Sequence, residues 1–216
     1  MVREGYFMFD LPIILTGLAK VRPLFHSEAD FQHALAWRIH ELHPELSVRL
    51  ECRPIPSESL YLDLWVRGTD SQLAIELKYA KREIETTIDG ETYVLKNQAA
   101  QDIKRYDFVK DISRLERIVR AYPTASGYAV LLTNDSSYWT LSARESSIDA
   151  AFRIHEGAIL TGRLEWASNA TVGTTKNRKI PHTLSGVYTL SWNDYSLIPG
   201  HPVSGRFRYL LVRVKS

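Results

Sequence analysis

The chain has 216 residues, of which 44% are hydrophobic and 24% charged, with a formal net charge of +2. That length buries a full core without staples and fits one domain, or one domain with an extension. A single cysteine, Cys52, excludes an internal disulfide framework and a cysteine-rich zinc site, and agrees with a reducing compartment.

The N-terminal segment carries Glu4 and Asp10 inside its apolar stretch, unlike a signal peptide, and Leu11 to Ala19 is too short to span a bilayer. The expectation is a cytoplasmic protein with no membrane partner. Ser27-Glu-Ala-Asp opens a helix: Ser27 is a good N-cap and the acids complement the positive helix end. Phe31, Leu35, Ile39 and Leu42 follow a helical period, and Pro44 ends the run. Ser47 to Cys52 alternates like a strand. Leu60 to Arg67 and Leu73 to Ala80 read as two more strands joined by a short turn. Ile84 to Leu95 predicts a hairpin around Asp89-Gly90.

A long amphipathic helix is expected over Gln98 to Ala121, with Ile103, Tyr106, Val109, Ile112, Leu115 and Val119 as its buried stripe. Tyr128 to Thr133 is a short apolar strand. Further on, Gly157 to Leu164, Val187 to Trp192 and Phe207 to Val214 suggest strands, and Ala170 to Gly186 has the composition of a mobile loop. The reading is an α/β protein whose central mixed sheet is flanked by helices. Residues 1–150 form the core and 151–216 a basic, β-rich extension packed on the same domain. That extension holds nine Lys/Arg against three acids, which predicts a polyanion-facing surface.

Three residues concentrate the chemistry. Asp63 lies on one predicted strand, and Glu76 and Lys78 share a face of the next, because side chains alternate along a strand. Hard divalent cations such as Mg²⁺ or Mn²⁺ take oxygen ligands, often one or two carboxylates with water and substrate phosphate. Asp63 and Glu76 supply two such groups, and the Leu77 backbone carbonyl can add a third. A cation there relieves the repulsion of paired carboxylates and activates a bound water. Lys78 can orient that water or stabilise charge on the phosphate.

The order helix, three strands, helix, strand, with Asp63 followed after twelve residues by Glu76-x-Lys78, resembles the PD-(D/E)xK nuclease superfamily over about residues 25 to 135. Leu62 stands where the motif often has proline. The resemblance implies a restriction-endonuclease-like core and metal-dependent hydrolysis of nucleic acid, DNA first, in restriction, repair or defence. It also implies that Asp63 and Glu76 hold the metal and that Lys78 assists the nucleophile. Many members look similar in placing an acid on the first helix, which gives Glu28 a place at the metal. Some carry a glutamine and a tyrosine on the helix after the lysine. Here Gln101 and Tyr106 are five residues apart, which is poor helical registry, so Gln101 is kept as a phosphate contact and Tyr106 as core.

Lys81, Lys104 and Arg105 are further phosphate candidates, and Lys176, Arg178 and Lys179 lie in a segment that can reach a nucleic-acid backbone. Tyr188, Trp192, Tyr195 and Phe207 read as core in preference to base-stacking residues. His26, His33, His40 and His43 cluster near the first helix without a zinc-binding frame, and there is no glycine-rich phosphate loop. A homodimer is a further possibility. The alternative reading is a nuclease-derived binding or regulatory module that does not cut.

Overall fold

The computed structural model describes residues 9–144 and 146–215. Glu4, used above to argue against a signal peptide, lies outside them. The described chain forms helices α1 (Leu11–Val21), α2 (Glu28–Leu42), α3 (Gln101–Ala121) and α4 (Val172–Thr175). Its strands are β1 (Ser47–Cys52), β2 (Leu62–Arg67), β3 (Gln72–Ala80), β4 (Ile84–Ile88), β5 (Glu91–Leu95), β6 (Ala125–Thr133), β7 (Ile159–Leu164), β8 (His182–Thr189), β9 (Trp192–Leu197) and β10 (Arg206–Val214). Among them no helix is long and apolar enough to cross a membrane.

Six strands form one mixed sheet in the order β1-β2-β3-β6-β10-β9, in which β3 and β6 are parallel and the other neighbours antiparallel. A parallel pair needs a crossover, and here the β4–β5 hairpin and α3 make it. The hairpin turns at Asp89 (φ 50°) and Gly90 (φ 82°), the two left-handed residues that a tight two-residue turn requires. β10 and β9 come from the last third of the chain and complete the sheet beside β6.

The sheet has a helical layer on each face. On one, α1 and α2 bury Leu15, Phe31, Leu35 and Ile39 against Leu64, Ile75, Leu77, Val130 and Leu132. The α1 helix departs from the sequence reading, which left Leu11 to Ala19 without structure. Asp10 caps it by accepting from the Ile13 amide, Pro12 occupies its first turn, and Leu11, Ile14, Leu15 and Leu18 face inward at helical spacing. The α2 helix starts on Ser27, whose hydroxyl accepts from the Asp30 amide at 3.1 Å.

On the other face, α3 buries Phe108, Val109, Ile112, Leu115 and Ile118 against Ala74, Ala129, Leu131 and Leu210. Gly127 lets it come close, since a Cβ there would meet Leu115 at 3.2 Å. The outer side of α3 is covered by the β7–β8 ribbon. Glu116 ties the two together by accepting from the Ser185 amide (2.9 Å), the Gly186 amide (2.8 Å) and the Tyr188 hydroxyl (2.8 Å). This corrects the expectation of a mobile loop over Ala170 to Gly186: its second part is β8, anchored on a buried carboxylate, and its first part contains α4.

His182 opens β8 with its ring 4.6 Å from that of Tyr106, and its Nε2 is buried without a hydrogen-bond partner. Burial and then Lys110, with a smaller push from Arg117, outweigh Asp111 and Asp107 and lower its pKa to about 4. Because the folded value lies below the unfolded one, the contribution to stability is present above about pH 6.5 and is lost as pH falls through the folded value. In urea titrations the unfolding midpoint of the wild type relative to that of His182→Gln should fall between about pH 7 and pH 4.

Candidate metal centre

Asp63 sits at a break in β2. Residues two apart in a strand share a face, yet Leu62 packs in the layer under α3 and Leu64 in the layer under α1 and α2. Opposite this break, Glu51 of β1 has a left-handed backbone (φ 48°), uncommon for a residue with a Cβ. The β2–β3 register starts only at Leu64–Ile75. Beyond it the Asp63 carboxylate takes over the role of the ladder: Oδ2 accepts from the Leu77 amide at 2.6 Å. Gln32 of α2 holds the break from behind, donating from Nε2 to the Asp63 carbonyl (2.9 Å) and to Glu51 Oε1 (2.8 Å).

Glu76 and Lys78 project from β3 toward α3, and two residues there meet them. Lys78 Nζ pairs with Asp111 Oδ2 at 2.8 Å and donates to the Leu77 carbonyl at 3.1 Å. Arg114 pairs with Glu76 Oε1 at 3.1 Å and with Asp111 Oδ1 at 3.2 Å, and also donates to the Tyr61 carbonyl. Glu28, in the first turn of α2, accepts from the Tyr79 amide at 2.7 Å. Sequence reasoning missed Asp111 and Arg114. Their signal was present, because each is a charge near the apolar stripe of α3, spaced i and i+3 so that both face β3.

The cluster is dry. Glu76 is 1% exposed and Asp111 2%. Burial raises the pKa of Glu76, Asp111 and Asp63 raise it further, and Arg114 and Lys78 do not offset them, so it stands well above the ordinary carboxylate value. Burial likewise raises Asp63, against the pull of Lys78 and the Leu77 amide, to about 6. Burial also opposes the charge on Lys78, but Asp111, Asp63 and Glu28 outweigh it and hold the pKa above that of ordinary lysine. Lys78 is therefore an ammonium, a donor and a fixed positive charge, and not a general base.

The donor chemistry suits a hard divalent cation. Four carboxylates (Glu28, Asp63, Glu76, Asp111) face two cations (Lys78, Arg114), and this crowding in a low-dielectric place helps to push Glu76 and Asp63 toward the neutral form that a bound cation would reverse. Glu76 Oε1 is buried and receives no hydrogen bond, only the charge of Arg114. Among the described residues, no group of three or more His, Cys, Asp or Glu side chains is arranged to hold a metal ion. The set read from the sequence is Glu28, Asp63 and Glu76 with the Leu77 carbonyl; here Glu28 accepts from the Tyr79 amide, Asp63 accepts from the Leu77 amide, Glu76 pairs with Arg114, and the Leu77 carbonyl accepts from Lys78.

No model of a known protein family matches the chain, and no curated protein is significantly similar to it.

The proposed phosphate contacts scatter. Arg105 is 5% exposed and pairs with Asp149 at 2.8 Å while donating to the Ser137 carbonyl, so a guanidinium inside the fold replaces the expected surface contact. Gln101 donates to Asp135 at 3.1 Å. Lys81 donates to the His26 carbonyl at 3.0 Å, and Lys104 is half-buried beside it. Arg178 is bound to Asp107, at 3.2 Å, whereas Lys176 and Lys179 are exposed. Five arginines of residues 151–216 lie in ion pairs, but Arg163, Arg206 and Arg208 use the segment's own three acids, so only Arg153 and Arg178, on Asp149 and Asp107, draw on its excess charge. Trp192, Tyr195 and Phe207 are buried.

Removing one partner of a buried ion pair leaves the other uncompensated, at about 3–5 kcal/mol. Asp111→Ala should lose stability on that scale in urea denaturation. The double change Lys78→Met with Asp111→Leu should recover most of the loss, and the coupling between the two sites measures the pair.

Proposed function

We propose that this chain is a divalent-metal-dependent nuclease with a restriction-endonuclease-like core that hydrolyses phosphodiester bonds of nucleic acid, DNA first. The observation that carries the reading is the meeting of Asp63, Glu76 and Lys78 at the place where β2 and β3 part, inside a cluster where carboxyl groups outnumber cations. Such a cluster is costly to keep in a fold for stability alone, since buried charges are often no better than apolar residues of the same shape.

The roles follow from the geometry. Asp63 and Glu76 would hold Mg²⁺ or Mn²⁺ with the Leu77 carbonyl. When bound, such an ion activates water and neutralises charge on the phosphate. Asp63 is fixed by the Leu77 amide, and that amide by its place in β3, so the carboxylate is preorganised. Lys78 keeps its proton and places a positive charge where a phosphate oxygen gains negative charge. Asp111 positions Lys78, and Arg114 positions Glu76. Glu28 adds negative charge to the cluster while closing the end of β3 through the Tyr79 amide.

A second reading has its own observation. Every charged group of the cluster has a partner within the chain, as expected of a module that keeps the nuclease fold and binds without cutting.

Incubation with linear, circular and single-stranded DNA and with RNA, in Mg²⁺ or Mn²⁺, separates the two. Asp63→Asn, Glu76→Gln and Lys78→Met should each cost at least a hundredfold in rate, with Lys78→Met assayed at a temperature where circular dichroism shows it folded, since it leaves Asp111 unpaired. That loss corresponds to about 2.7 kcal/mol of barrier. Metal-dependent cutting that persists in all three variants would place the chemistry elsewhere, and binding without any cutting would favour the module.

A further inference from the structure

Glu76 and Asp111 are buried and the side chains of Lys78 and Arg114 are only 17% exposed, so a substrate reaches the site from a neighbouring surface. A cleft of about 530 Å³ adjoins it, lined by Glu58, Ser59, Leu60, Tyr61, Lys110, Arg114 and Arg117. One wall is the segment that leads into β2, two residues before Asp63. The other is α3, where Lys110, Arg114 and Arg117 recur at i, i+4 and i+7 and so share one face. Arg114 belongs to both places. It lines the cleft, and its guanidinium touches Glu76 and Asp111.

We propose that this cleft is the docking site for a single nucleic-acid strand, with backbone phosphate on Lys110 and Arg117 and a base against Tyr61, delivering the strand to the Asp63–Glu76–Lys78 cluster. The proposal rests on the nuclease reading and names where its substrate binds. Three observations carry it. Lys110 is exposed and makes no hydrogen bond or ion pair with any described residue, so its charge is free for a polyanion. Arg117 has only the rim acid Glu58, at 2.7 Å, and nearly half of its side chain is in water. Tyr61 is 55% exposed, and the Arg53 guanidinium lies 5.9 Å from its ring centre, which makes an aromatic face braced by a cation.

A basic groove with an aromatic platform is how proteins hold an unpaired strand without reading its sequence. Five of the extension's arginines are in ion pairs, and this face of α3 is a second basic surface beside the one predicted for residues 151–216. Tyr61 belongs to the wall opposite the cations of α3, so the cleft offers one strand both an aromatic residue and basic groups.

Fluorescence anisotropy with a labelled oligo-dT strand tests this in EDTA, where cutting plays no part. Lys110→Ala with Arg117→Ala should weaken binding tenfold or more, and should lower the slope of log affinity against log salt by about 1.4, the value for two phosphate contacts on a single strand. Tyr61→Ala should weaken binding at least fivefold with the slope unchanged. Lys20→Ala with Lys215→Ala, the same charge removed elsewhere, should bind as the wild type does. The proposal is overturned if the cleft variants bind normally, if the control pair loses as much, or if the wild type binds no strand at low salt. Strand binding through the cleft without metal-dependent cutting would sink the hydrolytic reading and leave the cleft standing. Cutting with unaltered binding in the cleft variants would do the reverse.

Discussion

The ion pair between Lys78 and Asp111 is the contact on which the rest of the site depends. It places an ammonium in a dry space between β3 and α3, and around it gather Asp63, Glu76 and Glu28. A lysine that has lost its hydration is tolerable only where carboxylates restore the interaction. Conversely, carboxylates this close would otherwise shed their charge, and Glu76 and Asp63 are already displaced toward the neutral form. Arg114 closes the circuit by joining Glu76 to Asp111. The cluster thus cross-links the central sheet to α3.

That arrangement explains local departures from ideal structure. β2 loses its alternation at Asp63, Glu51 opposite takes a left-handed backbone, and Gln32 supports both from α2. Each feature is unfavourable for a plain sheet. Together they turn a carboxylate inward to the Leu77 amide, where a regular strand would have made a backbone bond. Strain of this kind persists where surrounding contacts over-determine it, and it tends to mark working parts of a protein.

Much of the fold was legible. Ser27 as a cap, the stripe of α3 and the Asp89-Gly90 turn each follow from local chemistry, and the structure contains all three. The α1 helix was equally legible from Asp10, Pro12 and its leucine spacing, but its apolar run was weighed only as a membrane span. The segment around His182 was misread for another reason. Its Ser, Thr and Gly content is that of a loop; pairing with β7 makes it a strand, and Glu116, nearly seventy residues earlier, accepts the Ser185 and Gly186 amides that a bulge leaves out of the ladder. Charge was misjudged in the same way. Arg105 looks like any basic residue of a helix, and only Asp149, across the fold, makes it internal.

The sequence by itself determined the α/β pattern and the pairing of Glu76 with Lys78 on one face, because strand periodicity is a property of the backbone. It also brought forward Asp63, since two carboxylates and a lysine on adjacent strands form a chemical set. Tertiary structure decided the rest. It chose Asp111 and Arg114 as partners, buried Glu76 and Asp111, kept the proton on Lys78 and paired Arg153 and Arg178 of the extension with Asp149 and Asp107. Those outcomes depend on which groups share a low-dielectric space, and proximity in space between residues far apart in the chain is not written in local spacing.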